Sequence, residues 1–296
     1  MRDRLGQHPR GRLALALALG AVTALGMPPW DLWWLALPAL MGGVWVWHMA
    51  VTYAVGPGAV GPGRAAAVAG WAYGLGYFGL SLSWIVEPFL VDIGRHGWMA
   101  PFALMFLAGG LALFWAAAWA IAWMVGGRGA GWAALPLCWT LAELARGYAL
   151  TGFSWGTPGY LWSATPVAQW AAVVGSFGLG LLTFAVAVGF VWGALSGHTR
   201  ACAAVCVVAG ALWGGGLWRV PPMPENPQPA PVVRVIQPNA AQHLKWQPDM
   251  IPVFFDRSLA ATAAVQTPGL PAPSLVVWPE TSVPRLLHQA QPAFDA

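Results

Sequence analysis

Charge is scarce in this sequence: Asp, Glu, Lys and Arg make up 8% of its 296 residues, against a hydrophobic share of 58%. Soluble domains carry about 25% charged residues, so a water-soluble globule is excluded and a membrane protein is expected. Lysine is almost missing, Lys245 being the single one. The net charge of +4 comes from arginines scattered between apolar runs or gathered at the N-terminus, a distribution that concerns membrane topology and gives no reason to expect a nucleic-acid partner. Cysteine is scarce too. Cys138, Cys202 and Cys206 all fall inside apolar runs, where a thiol acts as a small hydrophobe and no disulfide framework is expected. Cys202 and Cys206 stand four apart with no histidine or carboxylate beside them, so no metal is expected. His48, His96, His198 and His243 have no nameable partners in the sequence. The glycine-rich stretches GWAYGLGYFG (70–79) and GSFGLG (175–180) follow no strand. They therefore read as close helix packing through small residues, and no phosphate-binding cofactor is expected.

What the sequence has is long apolar runs, 21 tryptophans among them. A membrane helix needs about 20 largely apolar residues. Seven runs qualify or come close: Leu13 to Gly26, Leu32 to Val55, Ala65 to Ile85, Trp98 to Val125, Gly131 to Leu144, Val167 to Leu195 and Ala201 to Trp218. If the N-terminus is cytoplasmic, alternation puts Arg2, Arg4, Arg10, Arg12, Arg64, Arg128 and Arg200 inside with a single acidic residue, Asp3. The opposite turns carry Asp31, Glu87, Asp92 and Glu143 with only Arg95 and Arg146. The excess of Arg on one side fits the positive-inside rule and sends everything after Arg219 to the far side. Residues 1–26 also fit a signal peptide; the second span that follows almost at once favours an uncleaved helix.

Composition changes at residue 219. RVPPMPENPQPAP (219–231) holds six prolines and reads as an extended linker. Beyond it VVRVI is a β-branched run ending in a Pro-Asn turn, MIPVFFDRSLAATAAV has helical spacing, and SLVVW is a second apolar run. Strand, loop, helix, strand is the start of an α/β unit whose right-handed crossover makes the strands parallel. The expected organisation is thus a bundle of about seven membrane helices over 1–218, the linker 219–231, and an incomplete α/β domain over 232–296.

Two stretches carry chemistry. AELARGYALTGFSWGTPGYLWSATP (142–166) places Glu143 and Arg146 three apart beside an apolar helix and follows them with a turn-rich aromatic loop. Ionisable groups there must be paired or face water, so the two form a pair that either anchors the loop or serves a site. In SLVVWPETSVP (274–284), Glu280 ends a strand between Trp278, Pro279 and a second proline. A carboxylate so constrained can take a proton and return it, help worth ~10² to 10⁴ in rate; on the residues alone it could equally be a solvated loop carboxylate.

Three stretches in this order, RGYALTGFSWGTPGY, VIQPNAAQHLKW and LVVWPETSVP, resemble the successive signatures of the apolipoprotein N-acyltransferases, and the resemblance extends from the first helices to about residue 285. Ser154 departs from the family, where proline precedes the tryptophan. The resemblance implies an enzyme of the bacterial inner membrane whose periplasmic nitrilase-like domain sits on a helical bundle. It implies acyl transfer from a phospholipid to the α-amine of a diacylglyceryl-cysteine apolipoprotein through a cysteine thioester, with a Glu, Lys, Cys triad and no cofactor. By motif position Glu280 is the glutamate. Trp246 matches a mobile arm at the lipid entrance; Trp155, Phe153 and Tyr160 are expected to meet lipid, and Gln237, Asn239, Trp278, Pro279, Glu143 and Arg146 to support the site. The family's lysine and cysteine follow the WPE glutamate. No Lys or Cys follows Glu280 here, so these 296 residues alone are expected to be inactive, and neither Lys245 nor the three cysteines is expected to fill those roles. A membrane-tethered amidase of the nitrilase group, or a non-enzymatic scaffold or transporter, is the other reading of the same residues.

Overall fold

The computed structural model describes residues 9–54, 60–149, 151–220, 231–241, 243–264, 271–280 and 282–283. Most of the proline-rich linker, the start of the 55–64 glycine-proline turn, Thr281 and the segment from residue 284 onward lie outside the described residues. The chain divides into two compact units, Met1–Trp84 with Phe102–Pro221, and Ile85–Pro101 with Pro222–Ala296.

The first unit is helical. Its elements are α1 (Pro9–Ala24), α2 (Trp33–Tyr53) and α3 (Pro62–Ser81). The chain then passes through a 3-10 turn at Ser83–Leu90, the one-turn helix α4 (Ile93–His96) and a second 3-10 turn at Gly97–Met99; α4 and most of these turns belong to the second unit. There follow α5 (Ala100–Gly126), α6 (Gly131–Tyr148), α7 (Ala171–Leu195) and α8 (Thr199–Arg219), with 3-10 turns at Pro158–Trp162 and Pro166–Trp170 before α7. Four stretches are long and apolar enough to cross a membrane: Trp33–Tyr53, Ile93–Gly126, Pro166–Leu195 and Thr199–Arg219. A helix bonds most of its backbone N–H and C=O groups internally, which is what makes such segments compatible with lipid.

Packing in this unit rests on small residues and on rings. Gly20 of α1 and Gly76 of α3 face each other's helices so closely that a methyl on Gly20 would overlap the Tyr73 carbonyl and one on Gly76 would overlap the Leu17 carbonyl. The glycine-rich stretch of α3 is therefore a packing face, and apolar helices approach through such faces because lipid offers little hydrophobic drive between them. Tyr73, Tyr77 and Phe78 of α3 meet Trp115 and Trp119 of α5 and Trp139 of α6, which lies flat on Phe184 of α7 at 4.3 Å. All seven rings are fully buried.

In the second unit, β1 (Val233–Val235) and β2 (Leu275–Val277) pair in parallel with Val233 opposite Leu275 and Val235 opposite Val277, as the order strand, loop, helix, strand predicts. Between them lies α9 (Met250–Ala263). Arg234 on β1 donates to the last carbonyls of α9, at Thr262 (2.7 Å) and Ala264 (2.9 Å), and a cation suits that negative end of a helix. Leu275 and Val277 remain 54% and 41% exposed. Two three-residue strands cannot bury their own faces.

Candidate functional site

In the first unit, the site is built around one arginine. Arg146 falls in the last turn of α6, and its guanidinium is buried with Glu143 one turn earlier. A guanidinium has five N–H donors, and each has an acceptor here. Nε meets Glu143 Oε1 at 3.1 Å, Nη2 meets Glu143 Oε2 at 2.6 Å and Thr157 Oγ1 at 3.3 Å, and Nη1 meets the carbonyls of Phe153 (2.5 Å) and Trp155 (2.8 Å). Trp115 of α5 donates to the same carboxylate oxygen at 2.7 Å, and Phe78 lies under the guanidinium at 5.1 Å. Helix α6 thus ends on a fully bonded ion pair that holds the following loop by its backbone. Of the two roles open to Glu143 and Arg146, the geometry fits the anchor.

The loop closes on itself and on α3. Thr157 donates to the Ser154 carbonyl (2.7 Å), the Phe153 amide to the Arg146 carbonyl (3.0 Å), and Tyr77 to the Gly156 carbonyl (3.0 Å). Gly156 sits at φ +70°, a conformation glycine adopts without a Cβ penalty. With its backbone held, the loop turns Trp155 outward onto Trp84 at 5.3 Å. Trp155 and Tyr160 stay 61% and 43% exposed and, with Trp84, Leu82, Met27 and Ser81, line a cavity of about 500 Å³. The Ser81 hydroxyl is buried there without a hydrogen-bond partner among the described residues. A largely apolar hollow with few polar groups suits an apolar chain carrying a small polar end. Phe153 packs on the core cluster and lends the site its carbonyl.

The second unit gathers another set. Gln237 accepts from the Asn239 amide (3.0 Å), Asn239 sits at φ +52°, and Arg257 donates to the Pro238 carbonyl (2.7 Å), so the Pro-Asn turn after β1 is fixed from both sides. Trp278 after β2 donates to Thr262 of α9 (2.9 Å) and stands edge-on to Phe255 (5.8 Å). Gln237, Lys245, Trp246 and Pro279 share a hollow of about 120 Å³ with Phe254 and Phe255. Glu280 follows directly in an exposed position, and its carbonyl accepts from Lys245 Nζ at 3.4 Å. Lys245 lies over the Trp246 ring at 5.4 Å. Lys245 stands out in the sequence as the single lysine and as part of the HLKW stretch, whereas nothing there points to Trp84, which meets Trp155 of the loop from 71 positions away, or to Trp115, which bonds Glu143 from 28 positions away.

A sequence model of the apolipoprotein N-acyltransferase N-terminal domain matches residues 19–189, which include α2, α3, α5, α6 and the anchored loop. The chain belongs to the apolipoprotein N-acyltransferase family. Apolipoprotein N-acyltransferases of Caulobacter vibrioides, Brucella suis and Allorhizobium ampelinum are 35%, 34% and 32% identical to it over 96%, 96% and 94% of its length. Those alignments take in 52%, 54% and 53% of the relatives, so the chain spans about half the length of the apolipoprotein N-acyltransferases it matches. With four helices of spanning length and hydropathy, this member of the family is a membrane protein.

Proposed function

We propose that this chain is the membrane bundle and the first part of the catalytic domain of an enzyme that moves an acyl chain from a phospholipid to the α-amine of a diacylglyceryl-cysteine apolipoprotein. In this reading seven helices cross the inner membrane, residues 219–231 link them to a nitrilase-like domain, and Arg64, Arg128 and Arg200 mark the cytoplasmic turns, leaving residues 232–296 in the periplasm. Glu280 is the acid–base group. It takes the proton of a cysteine thiol as sulfur attacks the phospholipid ester, and returns that proton to the departing alkoxide of the lysophospholipid. It then takes a proton from the acceptor amine attacking the thioester and returns it to the sulfur. Splitting one hard transfer into two easier steps is what a covalent intermediate provides. The thiol and the oxyanion donor would come from the part of the enzyme that follows Glu280 in the family. Trp155 and Tyr160 would receive the acyl chain and Trp246 would sit at the boundary between lipid and water, where an amphipathic ring is suited.

The observation that supports this reading is the family match together with a WPE glutamate three residues after a parallel strand, whose carbonyl accepts from Lys245 and whose neighbour Pro279 shares a hollow with Trp246 and Gln237. A nitrilase-type amidase would share the glutamate but have no use for the exposed Trp84, Trp155 and Tyr160 hollow. The test is a chimaera in which this chain supplies its 296 residues and the Caulobacter vibrioides relative supplies the remainder. It should acylate a diacylglyceryl-cysteine peptide from phospholipid vesicles and leave small amides intact. Amide hydrolysis without acylation would reverse the assignment.

A further inference from the structure

At the turn between α5 and α6 the first unit holds a second hollow, of about 270 Å³, that the acyl-transfer reading does not use. Its walls are rings: Trp47 is pinned by its bond to the Trp119 carbonyl (3.1 Å), Trp132 stands edge-on to Trp47 at 5.4 Å, and His48 stacks on Trp132 at 5.2 Å. Three residues with polar side chains line it, namely His48 and Thr52, one turn apart on α2, and Arg128 from the turn. Among the described residues none of the three has a hydrogen-bond partner and Arg128 has no acidic partner, although the α5–α6 turn begins where a candidate membrane span ends at Gly126.

We propose that this hollow binds the phosphate of an anionic phospholipid at the membrane boundary. Arg128 supplies a planar fork of donors that matches a phosphodiester, and His48 and Thr52 can add an N–H and an O–H. The indoles fill the level at which headgroups meet acyl chains. Among the described residues no carboxylate lines the hollow to receive an ammonium, so a net negative lipid is favoured over a zwitterionic one, as in other basic pockets between membrane helices. On the orientation proposed above, this is the leaflet opposite the transfer reaction, and the inference does not depend on that reaction.

Native mass spectrometry of the purified chain, titrated separately with phosphatidylglycerol, phosphatidylethanolamine and inorganic phosphate, tests it. One phosphatidylglycerol should bind about tenfold more tightly than phosphatidylethanolamine, the scale of one charge-assisted contact. Arg128→Gln should remove that preference, His48→Phe, which keeps the stack on Trp132, should lower phosphatidylglycerol affinity several-fold, and Arg200→Gln, outside the hollow, should leave it unchanged. Equal binding of the two lipids, wild-type affinity in either the Arg128 or the His48 variant, or displacement of the lipid by inorganic phosphate as readily as by phosphatidylglycerol would overturn the assignment.

Discussion

Arg146 shows how an ion pair is tolerated in an apolar bundle. Removing two charges from water costs several kcal/mol per ion, which mutual attraction offsets only when the remaining donors are also satisfied. Here they are, by Glu143, two loop carbonyls and Thr157. Arg146→Met should therefore cost about 3–5 kcal/mol, because it leaves the Glu143 carboxylate buried with Trp115 alone. Thermal unfolding in detergent would measure the loss, and protease should cut between Gly152 and Gly156 before the helices unfold. The same melting temperature and cleavage pattern as wild type would mean the pair is ornamental. The three-residue spacing of Glu143 and Arg146 was legible in the sequence. Their other hydrogen-bond partners were not, because two are main-chain carbonyls that any residue provides, Thr157 is brought back only by the fold of the loop, and Trp115 lies 28 positions away on another helix.

Among the elements, α3 separates glycine needed for packing from glycine that is merely present. A methyl on Gly76 would run into the Leu17 carbonyl of α1, whereas one on Gly79 of the same helix meets nothing within 4 Å. The same substitution should thus act in opposite directions. Gly76→Ala should destabilise by about 1–3 kcal/mol, the usual cost of forcing atoms into a packed contact. Gly79→Ala should be neutral or gain up to about 1 kcal/mol from the lower entropy of alanine in a helix. Equal melting temperatures for the two would contradict the packing described. The apolar runs marked where helices form, but of the seven expected spans four stretches among the described residues are long and apolar enough to cross a membrane, and α1 and α3 are not among them. The exposure of Leu275 and Val277 was not legible: apolar, β-branched composition reports what a strand is suited to face, while exposure depends on which layers are present to cover it.

For the whole molecule, the account makes the basic turns and the Glu280 segment lie on opposite sides of one membrane. Single cysteines introduced at Arg64, Arg128 or Arg200 in a chain whose own Cys138, Cys202 and Cys206 are replaced by alanine should resist a membrane-impermeant maleimide applied from the periplasm. A cysteine at Ser282 should react. Labelling of all four from the same side would rule out the odd number of crossings between them. The motif order that links residues 146–160, 235–246 and 275–284 to one family was readable in the sequence, because each motif fixes a local geometry: an anchored loop, a Pro-Asn turn, and a glutamate after a strand. How Lys245 meets the Glu280 backbone was not, since it depends on two loops separated by α9.

The claim on which the rest depends is that Glu280 moves the proton of the thiol. In the chimaera with the Caulobacter vibrioides segment, supplied with phospholipid and no acceptor peptide, acyl-thioester should accumulate and be visible by mass spectrometry of the intact protein. Glu280→Gln should slow its appearance by roughly 10²-fold or more, the usual scale of positioned acid–base help, with the melting temperature unchanged. A Glu280→Gln chimaera that forms the thioester at the wild-type rate would contradict the account.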